Sequence, residues 1–369
     1  MNFPPLERCV ASVRSRGSLF MGVLGLVVSS CQPMSGSGGG STVLSRPPAS
    51  PAELEDIFKI ERTIRVEETN RAPIVLPIVT ADSLGRFLVA DIQQEQVRRY
   101  DQDGKLLLVF GSRGDGPGEF SDLAGAVEIG GRQIIAVDDG DGEIIYFDPS
   151  GHEVERHETG LETIHNIVTV DDSTVAITGR EAGDFDGPMV HLWSIRQDRI
   201  VRSFFQVPPH KPSLRSAYLF SDNVDVAIRG DTAAVTMALS DTVYLFTLDG
   251  RMHAKLPLVS PHFRQVQSSP PADIGENVNT RRAWSRTFSR ISRVFWAVDG
   301  SLYVQYFDLT TASPEWSLIH IRRDGGPARE VRNNPRLLTV SAYDSRLYFV
   351  HPKSEADTLW AIGRQSIAS

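Results

Sequence analysis

The sequence predicts an all-β fold, a six-bladed β-propeller of four-stranded antiparallel blades whose ring is closed by an N-terminal strand. Three observations predict it. From about Phe58 onward, short runs rich in Val, Ile, Phe and Tyr alternate with Gly, Asp, Asn and Pro turns, and no sustained 3.6-residue period appears. FLVADIQQEQVRRYDQDG (87–104) aligns without a gap on IIAVDDGDGEIIYFDPSG (134–151), an offset of 47 residues, close to the span of one blade. Four further stretches, 173–197, 233–250, 301–325 and 346–363, repeat the layout of strand, hairpin loop, strand and turn. Six small sheets cannot each bury both faces alone, and closing them radially covers the faces and leaves short edges.

The elements follow in chain order. Arg8, Arg14 and Arg16 precede LFMGVLGLVV (19–28), an apolar run of ten residues in a chain of 369. A membrane-crossing helix needs about 20 residues, so the run fits the apolar stretch of an export signal over 1–30. VSSC (28–31) resembles the bacterial lipobox. That resemblance implies cleavage before Cys31 and diacylation of its thiol, giving an exported bacterial lipoprotein at the outer membrane, its periplasmic face or the cell surface. Gln32 is not the Asp of the inner-membrane retention signal. Cys9 is the only other cysteine and leaves with the leader, so the mature domain has no disulfide and depends on its core.

Residues 31–57 form the lipidated cysteine, a Gly/Ser/Pro-rich tether over 32–51 and a short helix expected at Ser50-Pro51-Ala52-Glu53, which reads as a capping box with Pro at the first helical position. The propeller occupies 58–369. FKIERTIRVE (58–67) has no blade of its own, with Ile60, Ile64 and Val66 on one face, and is expected to complete the sixth blade because the last unit runs out before an outer strand.

With the repeat in place, the stretch 89–120 resembles the NHL repeat, in which a (V/A)-x-D strand end, an aromatic-Asp-x-x-Gly turn and a G-x-G-x-G-E-F connector recur. More narrowly it resembles the six-bladed propeller lipoproteins of bacteria. The lettered motif covers roughly 73–151; the remaining units follow the layout more than the letters.

Composition bounds the chemistry. Formal net charge is −8, and removing the leader with its three arginines and one glutamate makes it −10, which argues against nucleic acid as a partner. FGSRGDGPGEF (110–120) has a β run on both sides, where a phosphate loop needs a helix after it. Its glycines suit the crossing from one blade to the next. DDGDGE (138–143) falls on a hairpin loop, where Asp and Gly form turns. No paired His spacing, G-x-S-x-G or free thiol in the mature chain signals a metal cage or nucleophile, so no catalytic residue and no cofactor or metal is assigned.

Two regions carry the expectation of ligand binding. The entries to the inner strands offer Asn70 and Arg71, Glu119 and Asp122, His165 and Asn166, Asp222 and Asn223, Arg290 and Arg293, and Asn333 and Asn334. This polar ring has both signs and a single histidine, and it serves either as a solvated channel mouth or as ligand contacts. The stretch 260–296 reads as a long loop that sets Arg281, Arg282, Arg286, Arg290 and Arg293 among Trp284, Phe288, Phe295 and Trp296. Arginines beside aromatics suit anionic or hot-spot contacts; the alternative is a cover whose aromatics pack on the blades while its arginines pair with acids. The leading expectation is a monomeric binding or scaffold module of the cell envelope, its partner a protein, a glycan or a small anionic ligand. The alternative is a metal-dependent propeller enzyme of the lyase or lactonase type, with its site at the channel mouth.

Overall fold

The computed structural model describes residues 42–43, 49–53, 56–68, 74–82, 84–208, 210–297, 299–310, 314–334, 337–340, 346–351 and 361–367. Cys31, Asn70 and Arg71 lie outside the described residues. Three strands come first: β1 (Thr42–Val43), β2 (Ser50–Pro51) and β3 (Phe58–Arg65). Blade 1 is β4 (Pro77–Ala81), β5 (Phe87–Asp91), β6 (Gln96–Tyr100) and β7 (Leu106–Phe110). Blade 2 is β8 (Leu123–Ile129), β9 (Gln133–Asp138), β10 (Glu143–Phe147) and β11 (Glu153–Glu158). Blade 3 is β12 (Leu161–Asp171), β13 (Thr174–Glu181), β14 (Pro188–Ser194) and β15 (Arg199–Gln206). Helix α1 (Arg215–Phe220) lies before blade 4, which is β16 (Val224–Arg229), β17 (Thr232–Met237), β18 (Thr242–Thr247) and β19 (Met252–Pro257). Helix α2 (Val278–Ser285) precedes blade 5, made of β20 (Ser289–Trp296), β21 (Leu302–Leu309), β22 (Pro314–Ile321) and β23 (Arg329–Asn334). Blade 6 has β24 (Leu337–Val340), β25 (Arg346–His351) and β26 (Ala361–Ile367) from the C-terminal end, and β3 pairs antiparallel with β26 as its fourth strand. The N-terminal strand therefore closes the ring, as its hydrophobic face predicts.

Each blade is an antiparallel meander running from an inner to an outer strand, and the inner strands of successive blades are neighbours, β24 returning to β4. The second strands of blades 1 and 2 are covered on both faces and read as apolar runs ending in Asp. Phe87 to Asp91 and Ile134 to Asp138 are buried throughout. The core is accordingly a set of wedges between adjacent blades. Val127, Ile135 and Ile144 of blade 2 meet Ile164, Val175 and Trp193 of blade 3. The last wedge joins Ile64 and Val66, together with Tyr348 of blade 6, to Val79, Phe87 and Tyr100 of blade 1.

The repeat letters have local causes. Asp101 Oδ1 accepts from the N–H groups of Asp103 and Lys105, and Asp148 Oδ1 from those of Ser150 and His152. Gly104 and Gly151 then take positive φ, at 86° and 80°. The strand-end aspartates work differently. Asp91 accepts from the N–H groups of Val75 and Leu76, while Asp138 accepts from those of Ser121, Asp122 and Gly140. Each carboxylate thus fixes the entry of its own inner strand.

Three expectations are corrected. Ser50 and Pro51 do not open a helix: they form β2, parallel to Arg329 and Glu330 of β23, and the hydrogen bonds offered by that edge override the local capping signal. The tether is partly annexed to the ring, because Thr42 and Val43 likewise pair in parallel with Ala254 and Lys255 of β19, giving blades 4 and 5 a fifth strand. The long loop is shorter than 260–296, since β20 supplies its last eight residues and α2 lies within it. Asn277 caps α2 by accepting from the N–H groups of Asn279 and Thr280.

Candidate functional site

The inner strands β8, β12 and β20 carry β-bulges. Register shifts between Leu123 and Gly125 in β8, between Ile164 and Asn166 in β12, and between Ile291 and Arg293 in β20. A bulge leaves one residue out of the ladder and re-aims its neighbours, and the backbone groups it displaces need other partners. The preceding blade supplies them. Glu95 of blade 1 accepts from Leu123 N–H, and Asp139 of blade 2 from Ile164 N–H. In blade 5, Ile291 N–H donates to the Ala238 carbonyl and Val294 N–H to Asp225 Oδ2, both from blade 4.

His165 is the residue left out of the β12 ladder, and the site is built around it. Its Nε2 lies 3.6 Å from Asp222 Oδ1, and its Nδ1 lies 3.4 Å from the Asn223 amide nitrogen. Arg180 Nη1 donates to Asp222 Oδ2 at 2.6 Å. Burial holds His165 below the usual imidazole range; Asp222 opposes that shift and Arg180 adds to it. A neutral ring with Nδ1 accepting from Asn223 carries its proton on Nε2, a buried donor that makes no hydrogen bond. Beside it, burial pushes Asp139 up to about 7; the N–H of Ile164 opposes this, and Asp122, Asp138 and Asp222 reinforce it.

One layer further along the axis, Asp225 collects Asn166 and Arg293. The Asn166 amide donates to Asp225 Oδ1 at 2.8 Å and Arg293 Nη1 donates to the same oxygen at 3.0 Å. Below this layer a cavity of about 330 Å³ follows the axis between the inner strands of blades 1 to 5. Its charged lining is balanced, with Asp82, Glu128 and Asp225 against Arg86, Arg229 and Arg293. At the far end Arg86 bonds Asp82 and Glu128, and Arg99 also donates to Glu128. Burial raises the Glu128 carboxyl even so, against the pull of Arg99 and Arg86.

The structure brings together His165, Asp222 and Asn223, and places Arg293 in the next layer. It does not bring the rest of the candidates to the axis. Trp284 is buried in a satellite core with Leu214, Ala217, Leu239, Val266 and Phe288, where α1 and α2 cover part of the ring. Its indole donates to the Ser268 carbonyl, and its ring meets Phe220 and Phe288 edge-on. Arg281 donates to the carbonyls of Ile274 and Gly275, and Arg286 to that of Thr310. Arg290 bonds Ser285 and lies over Phe288, while Arg282 is exposed on α2. The expected cover is therefore tied down largely by carbonyls in place of acids, although Arg264 does pair with Asp308. Asn333 and Asn334 end the outer strand β23 and so precede the blade 6 entry. Glu119 closes its own loop on Gly116 N–H.

The Arg-Gly-Asp tripeptide is held in the connector between blades 1 and 2. Arg113 reaches the buried Glu95 at 2.9 Å, and a side chain at Gly114 would collide with Glu119. Sequence reasoning missed Arg180, Asp225 and Asp139. Asp225 could have been found by strand parity, two positions after Asn223. Among the described residues no three His, Cys, Asp or Glu side chains converge as a metal cage, and no helix is long and apolar enough to cross a membrane.

Comparison with known proteins agrees with the architecture. The model of a family described as a 6-bladed beta-propeller, DUF5128, matches residues 35–175, less than half of the chain. A crystal structure of a candidate exported protein from Bacteroides fragilis superposes with a TM-score of 0.63 at 11% identity, covering 89% of this chain and 100% of the other. A member of the DUF4221 family from Bacteroides vulgatus gives 0.63 at 9% identity, covering 85% and 98%. At such identity the likeness carries the fold alone. No curated protein matches the chain.

Proposed function

We propose that this chain is an exported propeller, anchored through a lipidated Cys31, that binds a polar ligand or a protein segment at the entry of its axial channel. The observation that carries the reading is the stacked arrangement at the axis: a neutral His165 with an unused donor, the Asn166–Asp225–Arg293 layer beneath it, and a charge-balanced cavity below. A cavity of about 330 Å³ lies at the small end of ligand sites, roughly 300–1,000 Å³. Three carboxylates against three guanidiniums favour a partner rich in hydroxyl or amide groups, such as a glycan or a peptide segment, over a strongly anionic one. Export and anchoring are supported by the arginine-led apolar leader and the VSSC string.

The test is a thermal-shift screen of neutral oligosaccharides and short peptides against the protein and its Asp225→Asn and His165→Ala variants. Stabilisation of the parent that the variants lose supports the reading. A tightly held Ca²⁺ or Zn²⁺ in the purified protein, lost in His165→Ala or Asp222→Ala, would overturn it in favour of a metal-dependent lyase or lactonase. Metabolic labelling with a fatty-acid analogue, absent in Cys31→Ser, checks the anchor separately.

A further inference from the structure

The tether does not leave the ring at an arbitrary place. Its described residues run along the rims of blades 4 and 5: Thr42 and Val43 pair with β19, Ala49 N–H donates to the Val259 carbonyl, and Ser50 N–H donates to that of Ala328. The chain then passes to β3 on the rim of blade 6. Ten residues separate Cys31 from Thr42, a path of at most about 40 Å even if fully extended. An anchor at Cys31 therefore attaches at the rim of blade 4 and keeps that rim within about 40 Å of the bilayer.

The charge on the rims follows the same geometry. The outer strand of blade 3 carries Arg199 and Arg202, and β19 and β23, the fourth strands of blades 4 and 5 beneath the short β1 and β2, carry Lys255, Arg329 and Arg332. Their one carboxylate, Glu330, is buried and bonded to Tyr306 and Ser260. The turns at the ends of these strands hold acids as well as bases, Asp198, Asp249 and Asp324 beside Arg196, Arg251 and Arg322, so the excess lies on the strands themselves. Blade 2 lies across the ring from blade 5, and its outer strand reverses the sign. It carries Glu153, Glu155 and Glu158, and its only arginine, Arg156, is tied to Glu153 and Glu143. This asymmetry sits on a chain whose formal net charge is −8.

We infer that the rim of blades 3 to 5 is a contact surface for an anionic lipid bilayer, so that the propeller stands edge-on, with both ends of its axial channel open to the side. The inference rests on the anchored reading for its purpose, but its chemistry is that of surface cations against lipid headgroups and requires no acyl chain.

The experiment uses the chain from residue 32 onward, which keeps every described residue and contains no cysteine. Co-sedimentation is compared on vesicles of phosphatidylcholine and of phosphatidylcholine mixed in equal parts with phosphatidylglycerol. Binding is expected on the anionic vesicles only, weakening as salt shortens the screening length. Joint reversal of the exposed Arg199→Glu, Arg202→Glu and Arg332→Glu should reduce it by about tenfold or more, whereas Glu155→Gln with Glu158→Gln on the opposite rim leaves it within about twofold. A fluorophore on Val201→Cys should be shielded by the vesicles, and one on Val154→Cys should not. Equal binding to both vesicle types, no binding, indifference to the charge reversal, or equal shielding of the two labels would each overturn the proposal. Because the probe lacks Cys31, failure of acylation in cells would sink the anchor and leave this result standing, and the reverse also holds.

Discussion

Asp138 and Asp139 are neighbours in a string of turn-forming letters, and the structure gives them separate tasks. Asp138 holds the entry of its own blade, while Asp139 reaches the next one and accepts from Ile164 N–H. The turn was legible; the reach was not, because nothing local in DDGDGE shows which backbone group a folded ring brings within range. The position of Asp139 has a pH consequence. Burial pushes its carboxyl up to about 7, above the ordinary 3.8 of an aspartate in water, so folding favours the protonated acid. The stabilisation is fully present below pH 3.8 and is lost as pH rises through about 7. Asp139→Asn keeps an acceptor for Ile164 and removes the charge. It is expected to match the parent in acid and to exceed it by about 4 kcal/mol at pH 8, from a rise of 3.8 to about 7 at about 1.4 kcal/mol per unit. Urea unfolding across the pH range checks this; parallel profiles would show that Asp139 does not titrate in that window. His165 marks another limit of sequence reading. The letters placed it near the axis, but its exclusion from the ladder depends on the register of β12 against β13.

At the scale of the element, ring closure by β3 was legible from Ile64 and Val66 and from the missing strand of the last unit. The seam itself is set by the turn of blade 1. Glu67 N–H donates to the Gly104 carbonyl, and Leu106 N–H donates to Glu67 Oε2. Gly104 has φ 86°, and a Cβ there would lie 2.2 Å from the Arg65 carbonyl oxygen. Gly85 has a similar φ of 75°, yet the nearest atom to its would-be Cβ is 3.9 Å away. Gly85→Ala should therefore lose only the backbone penalty of about 1–2 kcal/mol, whereas Gly104→Ala should lose several kcal/mol by also prising β3 from blade 1. Equal urea midpoints for the two variants would show that the seam is not strained by a side chain. The parallel strands β1 and β2 were illegible for a physical reason. Thr-Val and Ser-Pro have no strand period of their own, and their conformation is imposed by the unpaired edges of β19 and β23. The two covering helices escaped for a similar cause: α1 has six residues and α2 eight, and each is held by the shared core around Trp284.

For the whole molecule, the layout of strand, hairpin loop, strand and turn was enough to phase all six hairpins, although the repeat letters persist through only two of them. That is what a propeller requires. Each blade needs apolar faces and turns of the right length, and the aspartates are one solution among several for fixing an entry. Among the described residues five core clusters each join side chains of two adjacent blades, so those blades share their cores. Tryptophan fluorescence, which reports on Trp193, Trp284, Trp296 and Trp316 in blades 3 and 5 and the cover and also on Trp360, should therefore change at the same urea concentration as the far-ultraviolet signal of all the sheets. Separate midpoints would mean that the ring opens in sections. The strands annexed from the tether bear on how the protein can be handled. The run of Gly, Ser and Pro before Ala52 invites removal as dispensable sequence. A chain trimmed to start there would expose the raw outer edges of β19 and β23, each with free N–H and C=O groups. What looks like packaging in the sequence is then a built-in stopper against self-association.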